Sequence, residues 1–169
     1  MASDHPLPTM RSVGAANAVL DFVAVGDDPL VVLLSGGGSA MVVRPVDGVS
    51  LDELRTLADG LMRAGATIDE LNCVRKHLDE AKGGRIGLAT GGRPVAVGVI
   101  SDVLGDRLDV ISSGPFVGDA STFGDAGAVL DRAGVRVSAV DRVIERGAAG
   151  AIAETPKPGD ARLAAITHE

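Results

Sequence analysis

Apolar positions along the chain recur with two different periods. Val13, Ala16, Val19, Leu20 and Val23 follow helical spacing and predict a helix over 10–25, after an extended lead-in over 1–9 holding Pro6 and Pro8. The run Leu30-Val31-Val32-Leu33-Leu34 is short and unbroken, which predicts a strand buried on both faces, as in a parallel sheet. It stops abruptly at Ser35-Gly36-Gly37-Gly38-Ser39. Ala40 to Val43 is read as a second short strand, ended by Pro45 and the turn Asp47-Gly48.

Two capping boxes open the next helices. Ser50 with Glu53 starts one that runs to about Ala64, and Thr67 with Glu70 starts another over 68–80. Ile68, Leu71, Val74 and Leu78 give the latter one apolar face, and Gly83-Gly84 ends it. After a turn at 91–94, residues 94–100 form the next clear strand. A loop follows with Gly105, Gly114, Pro115 and Gly118, then a helix over 121–133. Residues 135–137 are read as a short edge strand, 138–147 as a helix and 154–160 as loop. Helices alternating with apolar strands predict an α/β domain of three layers around a mostly parallel sheet.

Composition narrows the function classes. The chain has 169 residues, the size of one domain, and 46% are hydrophobic, so a sizeable core needs no disulfide. There is no Trp, no Tyr and only three Phe, so aliphatic side chains must fill that core. A net charge of −7 and few aromatics argue against binding nucleic acid, which needs cationic contacts to phosphate and stacking surfaces. No apolar run approaches the ~18 residues that cross a bilayer, so no membrane partner is expected. The single cysteine, Cys73, and an N-terminus without a cationic start and apolar stretch fit the reducing cytoplasm.

Three clusters could carry chemistry. The first is the glycine run with its flanking serines. Glycines let successive N–H groups converge on one spot, so the loop reads as an anion cradle at the carboxyl end of a strand. The same residues would also serve a plain tight turn. No Gly-Lys-Ser or Gly-Lys-Thr occurs, so this is not a Walker loop, and Met41 replaces the third glycine of a dinucleotide fingerprint. The second cluster is Asn72, Arg75, Lys76 and Lys82. Asn72 and Lys76 share a helix face, and Arg75 and Lys82 nearly align beside Gly83-Gly84. It reads either as a solvated face paired with Asp79 and Glu80 or as an anion site.

The third cluster is Ser101-Asp102-Val103-Leu104-Gly105-Asp106, directly after the strand 94–100. A carboxylate at that strand end could hold Mg²⁺ or accept a proton from a substrate hydroxyl, with Asp106 assisting. An Asx turn in a solvated loop is the plainer alternative. Ser112-Ser113-Gly114-Pro115 adds hydroxyl and backbone donors. The three histidines have no metal-ligand spacing, and Cys73 reads as a packed side chain.

Taken together, these stretches resemble a known family. Ser35-Gly36-Gly37-Gly38-Ser39-Ala40, the segment Gly65 to Leu78, Lys82-Gly83-Gly84-Arg85, Ser101 to Asp106, Ser112-Ser113-Gly114-Pro115 and Glu154 to Asp160 are similar to the class II glycerate 2-kinases. Their C-terminal half is called the MOFRL domain, and some members carry the older name hydroxypyruvate reductase. The resemblance runs from about His5 to about Arg162. It implies a Rossmann-like α/β domain and a cytoplasmic enzyme that phosphorylates glycerate to 2-phosphoglycerate with ATP and Mg²⁺. In these roles Asp102, Lys76 and Arg75 would be catalytic. Ser35, Gly36, Gly37, Gly38, Ser39, Lys82, Ser101, Ser113 and Gly114 would bind substrate or phosphate. Asp102 and Asp106 would hold the metal.

Family members are more than twice as long. The expectation is therefore a truncated Rossmann-like domain over 1–162, a tail over 163–169, and no second domain. A lysine in a Gly-Lys-Ala motif would precede His5. Two other readings stay open: a non-catalytic remnant that binds a small anion, and a nicotinamide-dependent reductase. Strands missing from the sheet would leave an apolar edge, which predicts marginal stability or association with another copy or chain.

Overall fold

The structure, a computed structural model, describes residues 7–101 and 103–169. The lead-in expected over 1–9 lies partly outside these residues. Among the described residues seven α-helices and three strands follow in the order α1 (Met10–Val23), β1 (Leu30–Ser35), α2 (Gly38–Met41), α3 (Leu51–Arg63), α4 (Ile68–Leu78), α5 (Arg85–Ala89), β2 (Val95–Ile100), α6 (Phe123–Ala133), α7 (Ser138–Ala148) and β3 (Ile166–His168). The sheet order is β1-β2-β3, and both pairings are parallel. The expected α/β class with a parallel sheet is what forms.

Local chemistry explains where the helices begin. Ser50 and Glu53 cap α3 reciprocally, and Thr67 and Glu70 do the same for α4, as the sequence predicts. A third box, Thr122 with Asp125, starts α6 at Phe123, two residues later than expected. Helix α4 stops at Leu78 rather than 80, because Asp79 turns extended and bridges Pro45.

Two expected strands do not form. Residues 40–43 are not a strand: Gly37 adopts φ 83° and turns the chain straight into α2. Residues 135–137 are not a strand either. Gly134 closes α6 at φ 65°, and the three residues merely join α6 to α7. Val135 packs against α3 instead, at the open side of Gly60. Conversely, Ile166–His168, inside the expected tail, pairs with β2.

The core has two parts. One lies among α3, α4, α6 and α7 and includes Leu61, Val74, Leu78, Phe123 and Val140. Burying each such side chain is worth about 1.5–3 kcal/mol. The other part lies between one face of the sheet and helices α1 and α5, with Ala16, Val23, Ile86, Val95 and Val97. Strand β1 is not buried on both faces, contrary to expectation. It alternates half-buried and exposed, with Val31 77% and Leu33 86% exposed. It is an edge strand, and among the described residues its second face has no covering layer. No helix among the described residues is long and apolar enough to cross a membrane.

Candidate anion site at the carboxyl ends of the strands

Parallel pairing decides where the sequence clusters meet. Ser35 stands in register with Ile100, so the glycine loop and Ser101 leave the same edge of the sheet. Ser101 makes a local turn, its hydroxyl donating to the Val103 carbonyl at 3.1 Å. Asp102 lies outside the described residues. Asp106 is exposed, at φ 51°.

The third wall of this region is the tight turn Ile111–Ser113 and Gly114. Ser112, Ser113 and Gly114 take φ of 52°, 61° and 62° in succession. Two non-glycine residues in the left-handed region are costly, about 1–3 kcal/mol each, and persist only where their surroundings hold them. Here the surroundings are the predicted clusters themselves. Ser112 donates to the Ser35 carbonyl at 2.8 Å. Ser113 donates to Asn72 Oδ1 at 2.9 Å, and its Oγ lies 2.8 Å from Ser39 Oγ. The backbone N–H groups of Gly83 and Gly84 donate to the carbonyls of Ser113 and Gly114 at 3.0 and 2.7 Å. A Cβ on Gly38 would stand 2.2 Å from Ser112 Oγ, so only glycine fits there.

Beside this knot lies a cavity of about 730 Å³ between α2, α3 and α4. Gly37, Ser39, Arg75, Asp79 and Lys82 line its polar end, and leucines of α3 and α4 line much of the rest. Burial pushes the Arg75 guanidinium and the Lys82 ammonium below their ordinary pKa values, with Asp79 opposing the shift in each. Lys82 is 2% exposed and sits 3.1 Å from the equally buried Asp79. It also donates to the Val42 carbonyl at 2.8 Å. An ammonium has three protons, and these two partners account for two of them. Asp79 in turn accepts from the N–H groups of Arg44 and Ala81.

Lys76 takes a different direction. It is buried 3.3 Å from Asp119, which also accepts from Ser121 and Thr155. Burial opposes the ionisation of Asp119, but Lys76 and Ser121 outweigh it and hold the carboxyl below its ordinary pKa. His77 is buried edge-on against Phe123, its Nδ1–H donating to the Cys73 carbonyl and Nε2 lying 3.2 Å from Glu154. Lys76 and His77 therefore belong to a polar knot that ties the 154–157 loop to α4.

Of the predicted residues, Ser35, Gly37, Gly38, Ser39, Ser113, Gly114, Arg75 and Lys82 come together, with Gly36 in the same loop. Ser101 and Asp106 lie along the adjoining loop, and Lys76 lies apart. The sequence placed Asn72 in the cationic cluster, Asp79 as a partner of that face and Ser112 among the hydroxyl donors, but counted none of the three among the site residues. The three-residue spacing of Asp79 and Lys82 was a usable signal for an ion pair. The Ser112–Ser35 bond spans too much sequence to be read locally. Among the described residues no cluster of three His, Cys, Asp or Glu could hold a metal ion.

Comparison with known proteins gives a consistent result. The family described as "Domain of unknown function (DUF4147)" matches residues 1–146. The chain is 44% identical over 156 residues to the D-glycerate 2-kinase of Thermotoga maritima, covering 90% of this chain and 36% of that protein. It is 39% identical over 158 residues to the glycerate 2-kinase of Pyrococcus horikoshii, again 90% of this chain and 36% of that one. A crystal structure of glycerate kinase from Thermotoga maritima superposes with a TM-score of 0.86 at 39% identity, covering 99% of this chain and 38% of the other. The chain thus spans little more than a third of the length of these relatives.

Proposed function

The chain belongs to the family described as Domain of unknown function (DUF4147), and from that membership we propose that it serves a glycerate 2-kinase, transferring the γ-phosphoryl group of ATP to the 2-hydroxyl of glycerate. What supports this most is the 44% identity to a D-glycerate 2-kinase. The Ser39–Arg75–Lys82 end of the cavity suits the carboxylate of glycerate. Backbone N–H groups of Gly36 to Ser39 donate to that carboxylate or to the transferred phosphoryl group, and Ser113 and Gly114 fix the loop that presents them. Arg75 and Lys82 neutralise the charge. Lys76, through Asp119, holds α4 in place.

The 2-hydroxyl oxygen bonds to the γ-phosphorus as the bridge to the β-phosphate breaks. Asp102 orients that hydroxyl and accepts its proton. Asp102 and Asp106 would hold Mg²⁺ beside the nucleotide. The ion, when bound, offsets charge on the phosphates. The cytoplasm is the compartment that suits the single thiol of Cys73.

Calorimetry of the chain with glycerate tests the binding half of this reading, and ADP release with glycerate, ATP and Mg²⁺ tests the chemistry. Glycerate is expected to bind, and Arg75→Ala to weaken it by about tenfold, the size of one lost charged hydrogen bond. Oxidation of NADH with hydroxypyruvate, or no glycerate binding, would overturn the proposal.

A further inference from the structure

Asn72 is buried and held at one end only. Its Oδ1 accepts the Ser113 hydroxyl proton at 2.9 Å, while Nδ2 has no partner among the described residues. A buried amide is ordinarily locked by bonds at both ends. Here a half-turn of the amide breaks nothing on the Nδ2 side. It changes only what Ser113 meets, an acceptor in one orientation and a donor in the other. Ser113 Oγ lies 2.8 Å from Ser39 Oγ, and Ser39 lines the cavity. Three side chains therefore form one line from the core to the cavity.

Each hydroxyl carries one proton, so the directions along this line are coupled. With Oδ1 toward Ser113, Ser113 donates to Asn72 and Ser39 donates to Ser113. Ser39 then offers only lone pairs to the cavity. With Nδ2 toward Ser113, the amide donates to Ser113 and Ser113 donates to Ser39. The Ser39 proton then points into the cavity.

We propose that Asn72 is a positioning residue: reversal of its amide turns the Ser39 hydroxyl from acceptor to donor when a carboxylate enters the cavity. No covalent bond changes, and each hydroxyl keeps its own proton and rotates. The inference rests on the glycerate reading above.

Calorimetry with glycerate on four full-length chains tests it: unsubstituted, Asn72→Asp, Ser39→Ala and the double variant. Aspartate has the shape of asparagine but only accepts, so it pins the Ser113 proton on itself and leaves Ser39 with lone pairs toward the ligand. Asn72→Asp should weaken glycerate binding about tenfold or more when Ser39 is present, and less than about threefold in the Ser39→Ala chain, because residues in one network are not additive. The loss that survives without Ser39 measures plain charge repulsion. Equal losses in both backgrounds overturn the relay and leave the glycerate reading standing. No glycerate binding by the unsubstituted chain overturns that reading and the relay with it. If circular dichroism shows Asn72→Asp unfolded, Asn72→Leu takes its place: leucine cannot pin the Ser113 proton, so Ser113 stays free to donate to Ser39 and glycerate binding should stay within about threefold of the unsubstituted chain. A larger loss overturns the relay.

Discussion

The buried charges form two knots, and only one of them borders the cavity. Lys82 with Asp79 lines it, while Lys76 with Asp119 anchors the 154–157 loop. The Asp119 carboxyl titrates below its ordinary value in the folded chain. As pH falls, the unfolded chain therefore binds the proton first. The stability that Asp119 contributes is complete above its ordinary pKa and is lost as pH drops through the folded one, below about pH 4. Asp119→Asn should lower stability at neutral pH by about 3–5 kcal/mol, since Lys76 is left buried without its main partner. It should also flatten the acid limb of a plot of Tm against pH. An acid limb as steep as that of the unsubstituted chain would contradict this. The sequence made Arg75, Lys76 and Lys82 visible as one cationic cluster. It could not split them into two knots. Neighbours on a helix point about 100° apart, so Arg75 and Lys76 face different partners, and those partners come from distant parts of the chain.

Elements were legible where a local signal sets them. The capping boxes at Ser50 and Thr67 stand in the sequence, and both helices start there. Thr67→Ala removes the side-chain acceptor for the Glu70 N–H and should cost about 1 kcal/mol, read as a lower midpoint in urea with unchanged slope. No change in the midpoint would mean that α4 is held by packing alone. Since α4 carries Asn72 and Arg75, its fraying would also loosen the site. Elements set by distant partners were not legible. Three residues such as Ile166–His168 become a strand only because β2 offers them a free edge. Val135–Val137 has strand-like residues and no strand to pair with. Residues 40–43 failed as a strand because the glycine run, read as a loop, ends inside a helix.

At the scale of the whole molecule, a parallel sheet is stable when both faces are covered. Here Val31, Leu33 and Ile100 are each more than three-quarters exposed on a face that no layer of the described residues covers, and Leu104 in the following loop is fully exposed. Such a patch favours association. Sedimentation should show mass rising with concentration, and Leu33→Lys should return the chain to a monomer. A monomeric unsubstituted chain would contradict this. The site does not depend on that face, because the cavity is walled by α2, α3 and α4, with Ser113 bracing Ser39 from behind. The central claim is that these walls enclose a single carboxylate site. The most direct measurement is a glycerate titration followed by amide ¹H–¹⁵N chemical shifts. The account predicts shifts confined to Gly36–Ser39, Asn72–Arg75, Lys82–Gly84 and Ser112–Gly114. Shifts centred on α6 and α7, or none at all, would contradict it.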